Sequence, residues 1–171
     1  MIDRLQDMSR DQIAAWLEDA AKLWLAHDGL WFQSIEKGRG MAEAMAHDAG
    51  AWARFSPLEA KRIMKRLGIE PGGGIPSLIR CLEHRLYALL NAQEIVERSG
   101  EHCVFQMSDC RVQSARARRG LGDFPCKAVG QVEYETFART IDPRLTARCL
   151  GCPPDPHPVD WYCRWEFRLE E

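Results

Sequence analysis

No stretch of this chain approaches the about 18 uninterrupted apolar residues that a membrane-spanning helix needs. Its first residues, Met1-Ile2-Asp3-Arg4-Leu5-Gln6-Asp7, lack the basic start and apolar run of a secretory signal. An excess of charge of one sign is also missing: 23 Lys and Arg stand against 25 Asp and Glu, a net charge of -2. So weak a field gathers neither nucleic acid nor an anionic membrane surface, and neither is an expected partner. Gly72-Gly73-Gly74 is followed by neither the lysine nor the Ser/Thr of a phosphate-binding loop, so it reads as a hinge. No repeat of fixed period is present. A soluble, cytoplasmic protein is expected. Its 171 residues, 46% hydrophobic, suffice for a single domain with a core over residues 1–171.

What the chain does have is thiols. Of its seven cysteines, Cys110, Cys126, Cys149, Cys152 and Cys163 fall in the last third. In a reducing compartment they read as metal ligands, a redox pair or buried small hydrophobes rather than a disulfide frame, and the odd count opposes complete pairing. Cys149-x-x-Cys152 has the spacing that lets two sulfurs converge on one metal. Cys110 is expected near the end of one strand, Cys126 in the loop after it and Cys149 at the end of another strand. If those strands run the same way, four thiols gather at one sheet edge. Four sulfurs make a closed tetrahedral zinc site with Cys110, Cys126, Cys149 and Cys152 as ligands and His157 in reserve. An iron–sulfur cluster suits four thiolates too, but the spacing follows neither common ferredoxin pattern. The redox reading is weaker because Cys149-x-x-Cys152 does not open a helix and precedes two prolines. Cys163 shares its strand face with large apolar residues and reads as a core thiol set apart from the others.

The chain changes character near Ser99-Gly100, dividing a helical half, 1–99, from a cysteine-rich half, 100–171. Ser9 and Gln12 form a capping box, and Ile13, Trp16, Ala20, Trp24, Trp31 and Ile35 recur with helical spacing, predicting a helix from about Arg10 to Glu36. Met41, Met45, Trp52 and Phe55 predict a second helix. Ser56-Pro57-Leu58-Glu59 predicts a third, with serine as cap and proline at the first position. A fourth long helix carries Ile79, Leu82, Leu86, Leu89 and Val96 toward Arg98. Beyond it, Cys103 to Val112 predicts a strand, Val129 to Ile141 a helix, and Leu145 to Cys149 a short strand. Trp161 to Glu170 alternates apolar and polar residues as a last, amphipathic strand. The expected class is α+β: about four helices covering a small, mostly antiparallel sheet with one more helix.

Two carboxylates stand out because they fall on apolar stripes: Asp28 in line with Trp24, Trp31 and Ile35, and Asp48 in line with Met45, Trp52 and Phe55. A buried carboxylate costs free energy unless it is paired, hydrogen-bonded or used, so Asp28, Trp31 and Asp48 are candidates for a pocket between the first two helices. The alternative is that arginines or helix ends satisfy both acids. The aromatic set Trp24, Trp31, Phe32, Trp52 and Phe55 reads first as core. Arg111 to Arg119 carries four arginines; it reads as a solvated face or, through Arg111, as a clamp for a carboxylate.

The strings Trp24-Leu25-Ala26-His27-Asp28-Gly29-Leu30-Trp31-Phe32, Phe124-Pro125-Cys126-Lys127, Phe137-Ala138-Arg139-Thr140-Ile141-Asp142-Pro143-Arg144 and Cys149-x-x-Cys152-Pro153-Pro154-Asp155 resemble a prokaryotic family of small cytosolic proteins of unknown function. The closing pattern, with Cys163-Arg164-Trp165-Glu166-Phe167, is more distantly similar to 4-vinyl reductase domains and to L-2-amino-thiazoline-4-carboxylate hydrolases. The first likeness implies a small-molecule-binding domain that holds metal through cysteines; the second implies a hydrolase. The leading expectation is a zinc-binding domain that holds a small organic ligand near Asp28, Trp31, Asp48 and Arg111. The alternatives are a hydrolase of a small cyclic amide-like substrate, with Asp28 or Asp48 activating water, and an adaptor without chemistry. Self-association is left open.

Overall fold

The computed structural model describes residues 3–171. Met1 and Ile2, which belong to the expectation about the first residues, lie outside the described residues. Among the described residues no helix is long and apolar enough to cross a membrane. After a short turn of helix α1 (Asp3–Gln6), α2 runs Arg10–Arg39. The expected capping box is present: Gln12 N–H donates to Ser9 Oγ at 3.2 Å, and Ser9 N–H donates to Gln12 Oε1 at 2.8 Å. Gly40, at φ 89°, reverses the chain into α3 (Met41–Leu67).

Three expectations about the helical half are corrected. Ser56-Pro57 does not restart a helix; Pro57 lies inside α3, where Ser56, Glu59 and Ala60 are buried. Proline removes one helical hydrogen bond, and burial of the following turn against α6 outweighs that loss. Nor is there a long fourth helix. Instead α4 (Gly74–Leu82) gives way to a 3-10 turn at Leu86–Leu89 and then to strand β1 (Ala92–Arg98). The 3.6-residue recurrence of Leu86, Leu89 and Val96 loses to pairing with the neighbouring strand, a tertiary contribution that periodicity does not report. The glycine run is not a free hinge either. Gly72 and Gly74 take φ 90° and 59°, and Gly74 N–H donates to the buried Asp142 Oδ2 at 3.0 Å.

The second half follows as β2 (His102–Asp109), α5 (Arg111–Ala117), α6 (Lys127–Ile141), β3 (Leu145–Gly151) and β4 (Cys163–Leu169). The sheet order is β1-β2-β4-β3 and every pairing is antiparallel, which makes the fold α+β. Because β2 and β3 both oppose β4, they run in the same direction on either side of it. That brings the ends of β2 and β3, where Cys110 and Cys149 lie, to one end of the sheet. Phe105, Trp165 and Phe167 of the sheet meet Tyr134, Phe137 and Ile141 of α6 in the core, with Ile75, Leu78 and Leu82 from α4. Gly130 is required where α6 crosses β4: a Cβ there would lie 2.7 Å from Trp165 Cζ2.

Candidate functional site: a cavity with an acid wall and a thiol wall

A cavity of about 440 Å³ lies between the α2–α3 hairpin and the sheet, lined among others by Asp28, Asp48, Glu133, Arg111, Cys126 and Cys152. Asp28 and Asp48, chosen as carboxylates on apolar stripes, and Arg111, chosen from an arginine run, therefore line one cavity. Trp31 does not: it is 61% exposed and stands outside the lining, to which its neighbour Phe32 contributes instead. The helical stripe is wide, and Trp31 falls on its outer edge, so apolar spacing chose the wrong one of two adjacent aromatics. Phe32 packs edge-on to Phe124 at 4.8 Å between centroids.

The helices supply the acid wall. Burial pushes the carboxyl of Asp28 up, against a small opposing effect of His27. Asp48 is raised further, to about 7, first by burial and then by the charges of Asp28 and Glu133; a hydrogen bond with Trp52 works against this. Glu133 is also raised by burial, although Arg85 holds it down in part. Arg85 itself is buried, with Nη2 2.8 Å from Glu59 Oε2 and 2.7 Å from Glu133 Oε1. Its guanidinium lies 4.7 Å from the Phe137 ring centre and 5.4 Å from that of Tyr87, with Trp52 and Tyr134 closing the cage. Sequence reading missed this network. Glu133 sat on the apolar stripe of Val129, Tyr134 and Phe137, the same signal that marked Asp28 and Asp48. Nothing local marked Arg85 for burial.

The other wall is thiol-rich. Cys126 Sγ and Cys152 Sγ are 3.3 Å apart, Cys126 at the start of α6 and Cys152 just after β3. Cys152 also contacts Cys149 and Cys163 and is held protonated by all three neighbours and by burial. Cys149 is the exception among the shifted thiols: the hydrogen bond from Cys152, helped by Gly151 N–H and Lys127, lowers it to about 7. Cys110 is pushed up to about 12 by burial, with Cys163 and Cys126 close enough to add to the shift. Cys163 is buried as expected but not set apart: it lines the cavity with Cys110, Cys126 and Cys152. His157 hydrogen-bonds through Nδ1 with Pro158 O at 2.8 Å and stacks near Tyr162 and Trp161. Although the sulfurs converge, among the described residues no three His, Cys, Asp or Glu side chains are arranged around a point where a metal ion would sit.

The α5 segment joins the two walls, and it too departs from expectation, being a helix where a strand end and loop were predicted. Arg116 is not solvated. It is bidentate to Glu36 of α2 at 3.0 and 3.1 Å, and its Nε donates to Gly122 O at 2.8 Å. Gln113 donates to Phe124 O at 2.8 Å, accepts from Phe124 N–H at 2.9 Å, and lies 3.6 Å from Cys126 Sγ. Arg111 is anchored through its backbone, whose N–H donates to Asn91 Oδ1 at 2.8 Å, and its side chain is exposed at the cavity.

The chain belongs to a family of unknown function, DUF6125, whose model matches residues 6–169. No curated protein and no solved structure matches it, so the distant likeness to 4-vinyl reductase domains and thiazoline-carboxylate hydrolases gains no support.

Proposed function

We propose that this protein binds a small organic molecule in the cavity between the α2–α3 hairpin and the sheet. One observation carries the reading: Asp28 and Asp48, on two different helices, are drawn into an apolar, aromatic-lined cavity of about 440 Å³ with no cationic side chain paired to either among the described residues. Such a volume suits a ligand of modest size, and a few convergent polar groups in an apolar setting are the usual form of a recognition site. Acids left without a partner cost stability, and a ligand that supplies donors offsets that cost. The test is a thermal-shift screen of a small-molecule library against the parent and against Ala115→Trp, which fills the cavity from α5. Compounds that raise Tm in the parent are expected to lose their effect in the filled variant. Compounds acting equally on both overturn the reading.

A second reading, zinc on the thiols, is favoured by the contacts of Cys152 with Cys126 and Cys149. In it Cys110 swings in to complete the set, and the metal fastens the start of α6 to the end of β3. Metal analysis of protein purified without oxygen is expected to give a near-stoichiometric zinc content that Cys152→Ser abolishes with a drop in Tm. Protein that is largely metal-free overturns this reading and leaves the first untouched. An iron–sulfur cluster would declare itself in the visible spectrum of the same sample. The free, mostly buried cysteines accord with a cytoplasmic setting.

A further inference from the structure

At the inner end of the cavity carboxyl groups outnumber the cations paired with them. Asp28 and Asp48 act on each other and Asp48 feels Glu133, while the one buried guanidinium, that of Arg85, is paired with Glu59 and Glu133. Arg85 Nε donates to Glu59 at 2.9 Å, a well-formed bond. Its Nη2 lies 2.7 Å from Glu133 Oε1 as an ion pair. Glu133 is only 7% exposed and lines the cavity, so a carboxylate already paired with Arg85 forms part of that wall. The other cations nearby are engaged or exposed. Lys22 pairs with Glu18 at 2.7 Å, Arg116 with Glu36 and Arg119 with Gln33, while Arg111 and Arg118 carry exposed side chains. Trp52 and Tyr87, stacked at 5.8 Å, offer the aromatic surface beside these acids.

We propose that the occupant of this cavity carries a primary ammonium or amidinium group, held between Asp28, Asp48 and Glu133 beside the rings of Trp52 and Tyr87. This deepens the ligand-binding reading and rests on it. Uncompensated carboxylates in a low-dielectric space attract a cation strongly, charge-assisted hydrogen bonds to it are short, and aromatic rings add cation–π attraction. Burial, joined at Asp48 by the charges of Asp28 and Glu133, already pushes all three acids toward holding protons. A cationic group replaces those protons. A carboxylate ligand placed there would instead face three acids.

Three probes of one shape separate the outcomes: benzylamine, benzyl alcohol and benzoate, each titrated into the full chain by calorimetry at neutral pH. Benzylamine is expected to bind about tenfold or more tightly than benzyl alcohol, the worth of one charge-assisted hydrogen bond. Both Asp28→Asn and Asp48→Asn are expected to weaken the amine by more than the alcohol and so remove that preference, and with two variants the failure of one to fold does not decide the matter. Equal binding of amine and alcohol, or tighter binding of benzoate, overturns the ammonium assignment and leaves the cavity reading intact. If none of the three binds and Ala115→Trp changes no other ligand's effect, both fail together.

Discussion

The two walls of the cavity are subject to the same physical effect and end in different states. Desolvation raises an acid whether it is a carboxyl or a thiol. On the thiol wall it starts from a high value, so Cys110 at about 12 is simply a neutral, inert group at any ordinary pH. On the helical wall it starts low, and Asp48 is brought to about 7, where proton and charge are evenly matched. Burial alone therefore makes sulfur quiet and carboxylate responsive. The exceptions prove informative in the same way: Cys149 falls to about 7 because a neighbouring thiol donates to it, and Arg85 remains charged because Glu59 and Glu133 face it.

The comparison breaks most visibly at Arg85. Replacing it by methionine leaves Glu59 and Glu133 buried without their cation, and the expected loss is roughly 3–5 kcal/mol in denaturant unfolding. A loss under about 1 kcal/mol means that the acid wall takes up protons at little cost and that the aromatic cage, not the charge, carries the site. A smaller effect lies in the pH dependence. The folded-state value of Asp48 stands above its unfolded one, so its contribution to stability is complete below about 4 and is lost as pH rises through about 7. Between those limits the parent is expected to lose on the order of 2 kcal/mol more than Asp48→Asn, after allowance for partial solvent screening. Parallel curves for the two proteins rule out the uncompensated acid. Smaller still in its effect on the fold is the thiol wall's response to iodoacetamide. In zinc-free protein at neutral pH, Cys149 is expected to be alkylated ahead of Cys110 and Cys103, both held near 12. Peptide mass spectrometry reads the order, and early labelling of Cys110 contradicts it. Smallest of all is Trp31→Ala: its exposed ring stands outside the cavity, and unfolding is expected to shift by no more than about 0.5 kcal/mol with ligand binding unchanged. A large change in either quantity restores Trp31 to the site.

Legibility followed the range of the interactions involved. The capping box at Ser9 and Gln12 is complete within four residues and was read without error. The alternation from Cys163 to Leu169 gave β4, since period-two burial is a local property of a strand on a core. By contrast β1 was hidden, because Ile95 and Val96 belong to a half-exposed edge strand whose identity depends on pairing with β2. In the cavity, Asp28 and Asp48 were visible as polar residues on apolar stripes, and Glu133 bore the same mark. Arg116 carried no such mark. Its bidentate partner Glu36 is 80 residues away, and an arginine run looks solvated until the partner arrives.

By itself, then, the sequence determined α2 with its cap, α6 and β4, the α+β class, the absence of a strong surface field, and which residues had unusual neighbours along their own helix. Each of these is set by contacts a few residues apart or by composition. Tertiary structure alone decided that β2 and β3 flank β4 in the same direction, gathering Cys110, Cys126, Cys149, Cys152 and Cys163. It alone placed Arg85 between Glu59 and Glu133 and left Asp28 and Asp48 without a paired cation among the described residues. Charge compensation inside a protein depends on which distant groups share a low-dielectric space, and the chain has no local pattern that encodes this.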